Sequence, residues 1–183
     1  MRDLYIQNQL LVTEVLSREG FNDGVFANLN LMPLLYKLVS IRYDHLGQDP
    51  TFIKFAAYRA AAILYIAAIR VEFRIDFDAS LHVQNLKDAL TAMEALNFDC
   101  DIPIKVWLLV VGGTRSISCP EQHDFFVSKL AEGIVQEGFQ VWGQVIGYVR
   151  RVLWADGVAQ GACETLRQEV AGQVWQSHGR VFQ

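Results

Sequence analysis

The stretch from Thr51 to Ile75, TFIKFAAYRAAAILYIAAIRVEFRI, constrains the fold more than any other. It is too long for a strand and too apolar for a surface helix. Its charges are Lys54, Arg59, Arg70, Glu72 and Arg74. A helix that is apolar nearly all round must be wrapped by other elements. The expected architecture is therefore all-α, with this segment, about 50–76, as the central helix of a single compact domain over 1–183. The remaining helices would cross it as an orthogonal-type bundle. At 52% hydrophobic and 20% charged residues, the chain has enough apolar material to build such a core.

Helix signals recur along the chain and add up to seven or eight helices. Asp3 can cap a first helix to about Glu19, with Gly20 as its stop. A loop follows over 21–30. A second helix starts near Leu31 with Pro33 in its first turn and closes at Gly47. Asp49-Pro50 opens the central helix. Asp78 or Ser80 caps the next, whose stripe is Leu86, Ala89, Leu90, Met93 and Leu96. Pro103 begins an apolar helix that is expected to stop at Gly112-Gly113. Ser118-x-x-Glu121 forms a capping-box pattern for a helix ending at Gly138. Phe139 to Trp154 and about Ala162 to Gln176 complete the set. No internal repeat, linker or low-complexity segment interrupts it.

The formal net charge is -4 and the basic residues are scattered, so no nucleic-acid footprint is visible. Cys100, Cys119 and Cys163 are odd in number and widely spaced, which argues against a disulfide framework or zinc site and for a reducing, intracellular setting. The start, MRDLYIQNQ, lacks the pattern of a secretory signal. The longest uncharged apolar run, Ala60 to Ile69, is far short of the ~20 residues needed to cross a bilayer, so no membrane span is expected. No phosphate-binding glycine loop, HExxH, GxSxG or EF-hand pattern occurs, and no two of His45, His82, His123 and His178 are paired at helical spacing. Neither a metal nor a cofactor is expected.

Chemistry must then come from isolated polar groups. On a helix, Arg59, Ile63, Ile66, Arg70 and Arg74 share one face, with Lys54, Tyr58, Tyr65 and Glu72 roughly opposite. Guanidiniums in an apolar helix need partners. Carboxylates such as Asp88, Glu94 or Asp124 would give Arg59 and Arg70 a structural role. A ligand carbonyl or carboxylate would give them a functional one. Tyr58 and Tyr65 are core residues or donors by the same alternatives. Trp107, beside the expected Gly112-Gly113 break, is a core residue or a pocket wall. His123 and Asp124 are adjacent on a helix and so do not face each other.

Three segments carry a family resemblance: AAYRAAAILYIAAI, IPIKVWLLVVGGTRSISCPEQHDFFVSKL and FQVWGQVIGYVRRVLWADGVAQGACETLRQEV. Their order of Pro-led apolar helix, small residues, charged turn and amphipathic helix ending in Leu-Trp resembles the C-terminal half of the fungal-specific transcription factor domain. That domain accompanies binuclear zinc-cluster DNA-binding modules. The resemblance covers about 40–175 and implies an all-α fold. The six clustered cysteines of the DNA-binding module are missing here.

Two functions follow as expectations. The first is a cofactor-independent, pericyclase-like enzyme of fungal secondary metabolism, similar to norbornene-forming cyclases of sordarin-type pathways. It would cyclise a hydrophobic terpenoid or polyketide by an intramolecular Diels-Alder reaction in an apolar pocket. Arg59, Tyr65, Arg70 and Arg115 are its candidate hydrogen-bond donors, and Phe55, Tyr58 and Trp107 its candidate substrate-binding walls. The second is a regulatory or dimerisation module that binds an effector or partner without binding DNA. It would be a possible homodimer. The setting is cytoplasmic, or nuclear for the regulator.

Overall fold

In the computed structural model, the described residues are 32–40, 50–72, 78–97, 100–155, 157–179 and 182. Among them the chain forms seven α-helices and no strand. We label these α1 (Met32–Ser40), α2 (Pro50–Glu72), α3 (Ser80–Ala95), α4 (Ile102–Arg115), α5 (Pro120–Glu137), α6 (Trp142–Val152) and α7 (Gln160–His178). The expected helix over 3–19, the loop over 21–30 and the stretch 41–49 lie outside the described residues, as do 73–77.

α2 is the buried helix that its composition requires. Every residue from Ala60 to Arg70 is buried, and its alanines let neighbouring helices approach closely. α2 is also long and apolar enough to cross a membrane by composition alone, but most of it is buried inside the protein. It therefore gives no clear membrane span.

A second helix is equally enclosed. α4 buries Val106 to Thr114 without interruption. The core thus has two axes, α2 and α4, packed on each other. α3 and α1 cover α2, while α5, α6 and α7 cover α4. α3 supplies the stripe Val83, Leu86, Ala89, Leu90 and Met93, as its spacing predicts. α3 also reaches α5, which closes the bundle on that side.

Gly112 and Gly113 do not end α4. They lie inside it, and the helix runs on to Arg115. A Cβ at Gly112 would sit 2.2 Å from the Phe126 ring, and one at Gly113 would sit 2.8 Å from Leu166. These glycines therefore set how closely α5 and α7 approach α4. No break opens beside Trp107, which is fully buried.

Three further expectations are corrected. Ser118 does not cap α5: Cys119 is the N-cap and Pro120 the first helical residue, and no side chain caps the end. The proline locks the first turn and leaves one fewer backbone N–H to satisfy, which serves in place of a capping box. α6 starts at Trp142 rather than Phe139, because Phe139 completes the end of α5. Its N–H donates to the Ile134 carbonyl at 3.0 Å while Gly138 takes the left-handed conformation at φ 71°. Neither Asp78 nor Ser80 is the N-cap of α3: Ala79 holds that position without a side-chain bond, and the Asp78 carboxylate, one residue earlier, accepts the Ser80 N–H at 3.0 Å.

Candidate functional site

The predicted donors and walls are distributed through the core and surface. Tyr65 lies on α2 with its hydroxyl accepting the Ala155 N–H at 2.8 Å, a buried bond. The Trp107 indole N–H donates to the Leu153 carbonyl at 2.7 Å. Tyr65 packs against both Trp107 and Trp154, with ring centroids 6.4 and 5.8 Å away. These residues form a clamp that holds the chain leaving α6 onto α2 and α4. Arg59 is paired, but with carbonyls rather than carboxylates. Its Nε donates to the Leu38 carbonyl at 2.5 Å and its Nη2 to the Val39 carbonyl at 2.8 Å. It thereby satisfies the C-terminal carbonyls of α1.

Arg70 is buried at the far end of α2, and Arg115 is half-buried in the last turn of α4. Phe55 is exposed. Tyr58 is half-buried, with its hydroxyl shielded from solvent and without a hydrogen-bond partner among the described residues. Burial, followed by the charges of Cys100 and Asp101, pushes its pKa up to about 12. Among the described residues, the clefts at α3–α4–α5, α6–α7 and α5–α7 contain none of these seven.

A Ser-His-Glu chain does occur. The Ser116 hydroxyl lies 3.0 Å from His123 Nδ1, and His123 Nε2 is bonded to the Glu169 carboxylate. Ser116 has no exposed surface and also donates to the Gly113 carbonyl at 3.2 Å. A nucleophile must reach its substrate, and this hydroxyl cannot. The chain instead ties the α4–α5 turn to α7. Cys163 is similarly inert: burial, then the charge of Glu164, pushes its thiol up to about 11.

Among the described residues, a cleft with an apolar floor lies where α3, α4 and α5 meet. It has a volume of about 210 Å³. α3 contributes Leu90, Met93 and Glu94, and α4 contributes Lys105 and Leu109 at i, i+4. α5 contributes Phe125, Lys129, Glu132, Gly133 and Gln136, which recur at helical spacing along one face. Leu90, Met93, Leu109 and Phe125 make its apolar surface.

The rim is ionic. Lys129 Nζ lies 3.1 Å from Glu94 Oε2 and 3.2 Å from Glu132 Oε2, so one ammonium joins α3 to α5. Burial lowers the pKa of Lys129, but the hydrogen bonds and charges of the two glutamates outweigh it, and the net shift is upward. Lys87 sits above the Phe125 ring at 5.8 Å. At Gly133 a Cβ would meet nothing within 4 Å, so this wall has room.

Sequence reasoning missed this cleft because its parts are ordinary helix-face residues. The available signal was the Phe125, Lys129, Gly133 series at i, i+4, i+8, which puts a cation and a gap beside an aromatic ring. Among the described residues, no group of three or more His, Cys, Asp or Glu could hold a metal. No family model, characterised protein or solved structure matches the chain.

Proposed function

We propose that this chain is an effector-binding regulatory module that takes a small ligand in the α3–α4–α5 cleft. The carrying observation is the cleft itself: an apolar floor under an ionic rim, with space left open at Gly133. A cavity of about 150 Å³ holds benzene, whereas pockets for drug-sized ligands run from about 300 Å³ upward. At about 210 Å³ the cleft suits a ligand of roughly ten non-hydrogen atoms. The resemblance to the helical regulatory domain of fungal transcription factors supports the same reading. So do the exposed apolar side chains Tyr36, Val39, Phe52 and Phe55 on α1 and the start of α2, which suit a dimer or partner contact.

Shape-driven cyclisation of a terpenoid or polyketide is the second reading. The apolar floor favours it, and Lys105 or Lys129 could donate to a carbonyl as charge develops there. The volume weighs against it, because such substrates exceed the cleft. The roles of Tyr65, Trp107 and Arg59 in holding backbone also leave fewer free donors for catalysis.

The test is Gly133→Leu, which fills the cleft from α5. Replacing a helical glycine should leave the variant as stable as the parent or about 1 kcal/mol more so. In thermal-shift screening against fragments of this size, the parent protein should be stabilised and the variant should not respond. Equal ligand-induced shifts in both would place binding elsewhere. Turnover of a polyene substrate by the parent but not the variant would move the assignment to the cyclase.

A further inference from the structure

Gln84, Lys87 and Glu94 of α3 meet Gln122, Phe125 and Lys129 of α5 in that order. The Gln122 amide donates to Gln84 Oε1 at 2.8 Å, Lys87 Nζ lies 5.8 Å from the Phe125 ring centre, and Lys129 Nζ lies 3.1 Å from Glu94 Oε2. The two helices therefore run side by side in the same direction. Gln84, Lys87 and Gln122 tie their N-terminal halves together and do not line the cleft, whereas Glu94 and Lys129 both do. We infer that Lys129 is a strap: it reaches from the α5 wall to Glu94 on the α3 wall, and the cleft admits a molecule when that link opens. This inference rests on the cleft being the ligand site proposed above.

Each helix has its main anchorage elsewhere. α3 turns Val83, Leu86, Leu90 and Met93 inward and packs on α2, while α5 turns Phe126, Leu130 and Ile134 inward and packs on α4 and α7. Opening the strap leaves both anchorages in place. Glu94 and Glu132 are about half exposed, and Lys129 is the least exposed of the three. A pair with that much access to water holds closed by a factor of only about two to five. Such a weak link suits a strap, which must yield whenever a molecule enters. Lys129 also has a second carboxylate on its own helix, Glu132 at i, i+3 and 3.2 Å away. When the ammonium leaves Glu94 it therefore keeps a partner on the α5 wall, so opening strands no cation.

Cys100 can report on the strap. It lines the cleft, carries no disulfide and follows the C-terminal end of α3, the end that Glu94 and Lys129 close. The experiment is alkylation of the full chain with N-ethylmaleimide, a probe of the size proposed for the ligand. Peptide mass spectrometry reads the rate at each cysteine, and melting curves establish that the variants are folded. Glu94→Gln should speed alkylation of Cys100 about two- to fivefold and leave Cys119 and Cys163 at the parent rate. Sodium chloride at about 1 M, where electrostatic reach falls to about 3 Å, should speed Cys100 in the parent and add nothing in Glu94→Gln. Glu132→Gln removes the same charge from the cleft but leaves the α3–α5 link, so Cys100 should stay slow. Equal speeding by both glutamate variants would mean that lost negative charge activates the thiol, and would overturn the strap. An unchanged Cys100 rate in Glu94→Gln, or faster reaction at all three cysteines, would overturn it too. The cleft reading falls on a different result, a Gly133→Leu variant that keeps the parent's ligand response.

Discussion

Individual residues in this chain carry more structural duty than their positions suggest. Tyr65 reads in sequence first as a core residue with a satisfied hydroxyl and second as a donor to a ligand, because periodicity places a side chain on a face without saying what it meets. Its hydroxyl accepts the N–H of Ala155, ninety positions away in sequence. Tyr65→Phe should leave that buried N–H short of its acceptor and destabilise the protein by about 1–3 kcal/mol. Denaturant melts measure this, and an unchanged midpoint would remove the clamp role. In sequence, the Gly112-Gly113 pair has the form of a helix stop, since glycine pairs often end helices. The real constraint on Gly112 is the Phe126 ring across the α4–α5 contact, which no local pattern reveals. Gly112→Ala, otherwise favourable in a helix, should therefore destabilise by about 1–3 kcal/mol through overpacking. A stabilised Gly112→Ala variant would show that α5 yields easily there.

At the scale of elements, the apolar period made the helices legible, while their ends depended on chemistry the period does not encode. α2, α3 and α5 fall where their stripes and prolines put them. α6 begins later than expected because the backbone around Gly138 and Phe139 completes α5 first. Arg59 shows how one element finishes another: a guanidinium on α2 receives the last carbonyls of α1. The sequence marks Arg59 as an apolar-face charge in need of a partner, but a carbonyl partner leaves no trace in composition. Arg59→Met keeps much of the packing and removes both donors. It should cost about 1–2 kcal/mol, and the loss should be local. Hydrogen exchange over Met32–Ser40 should quicken while α4 and α5 keep their protection. Uniform acceleration across all helices would mean that Arg59 supports the global core instead.

For the whole molecule, the all-α architecture was readable because one segment had to be wrapped, and wrapping it consumes the other stripes. The candidate cleft was not readable, because it arises where Glu94, Lys105 and Lys129 meet from three helices that sequence spacing does not bring together. The same assembly sets the dependence of stability on pH. His82 has its pKa lowered from 6.5, by burial first and then by the charge of Arg59, with Asp78 opposing. The folded state thus resists protonating His82, and below pH 6.5 the unfolded state binds more protons. Stability should fall as pH drops through that value. On the alkaline side, Tyr58 rises from 10.0 to about 12. Above pH 10 the unfolded tyrosine ionises while the folded one stays neutral, so stability should fall again. The raised Lys129 adds to this decline: it stays protonated between its glutamates until pH passes its folded value, and the contribution is then lost. Melting temperature should accordingly be flat from about pH 7 to pH 9 and fall on both sides. His82→Gln should soften the acid limb alone. Tyr58→Phe should soften the alkaline limb alone and cost little at neutral pH, since it removes a hydroxyl that has no hydrogen-bond partner among the described residues. Profiles that superimpose on the parent at both ends would mean that neither group differs between the folded and unfolded states, and the packing around α2 would need another account.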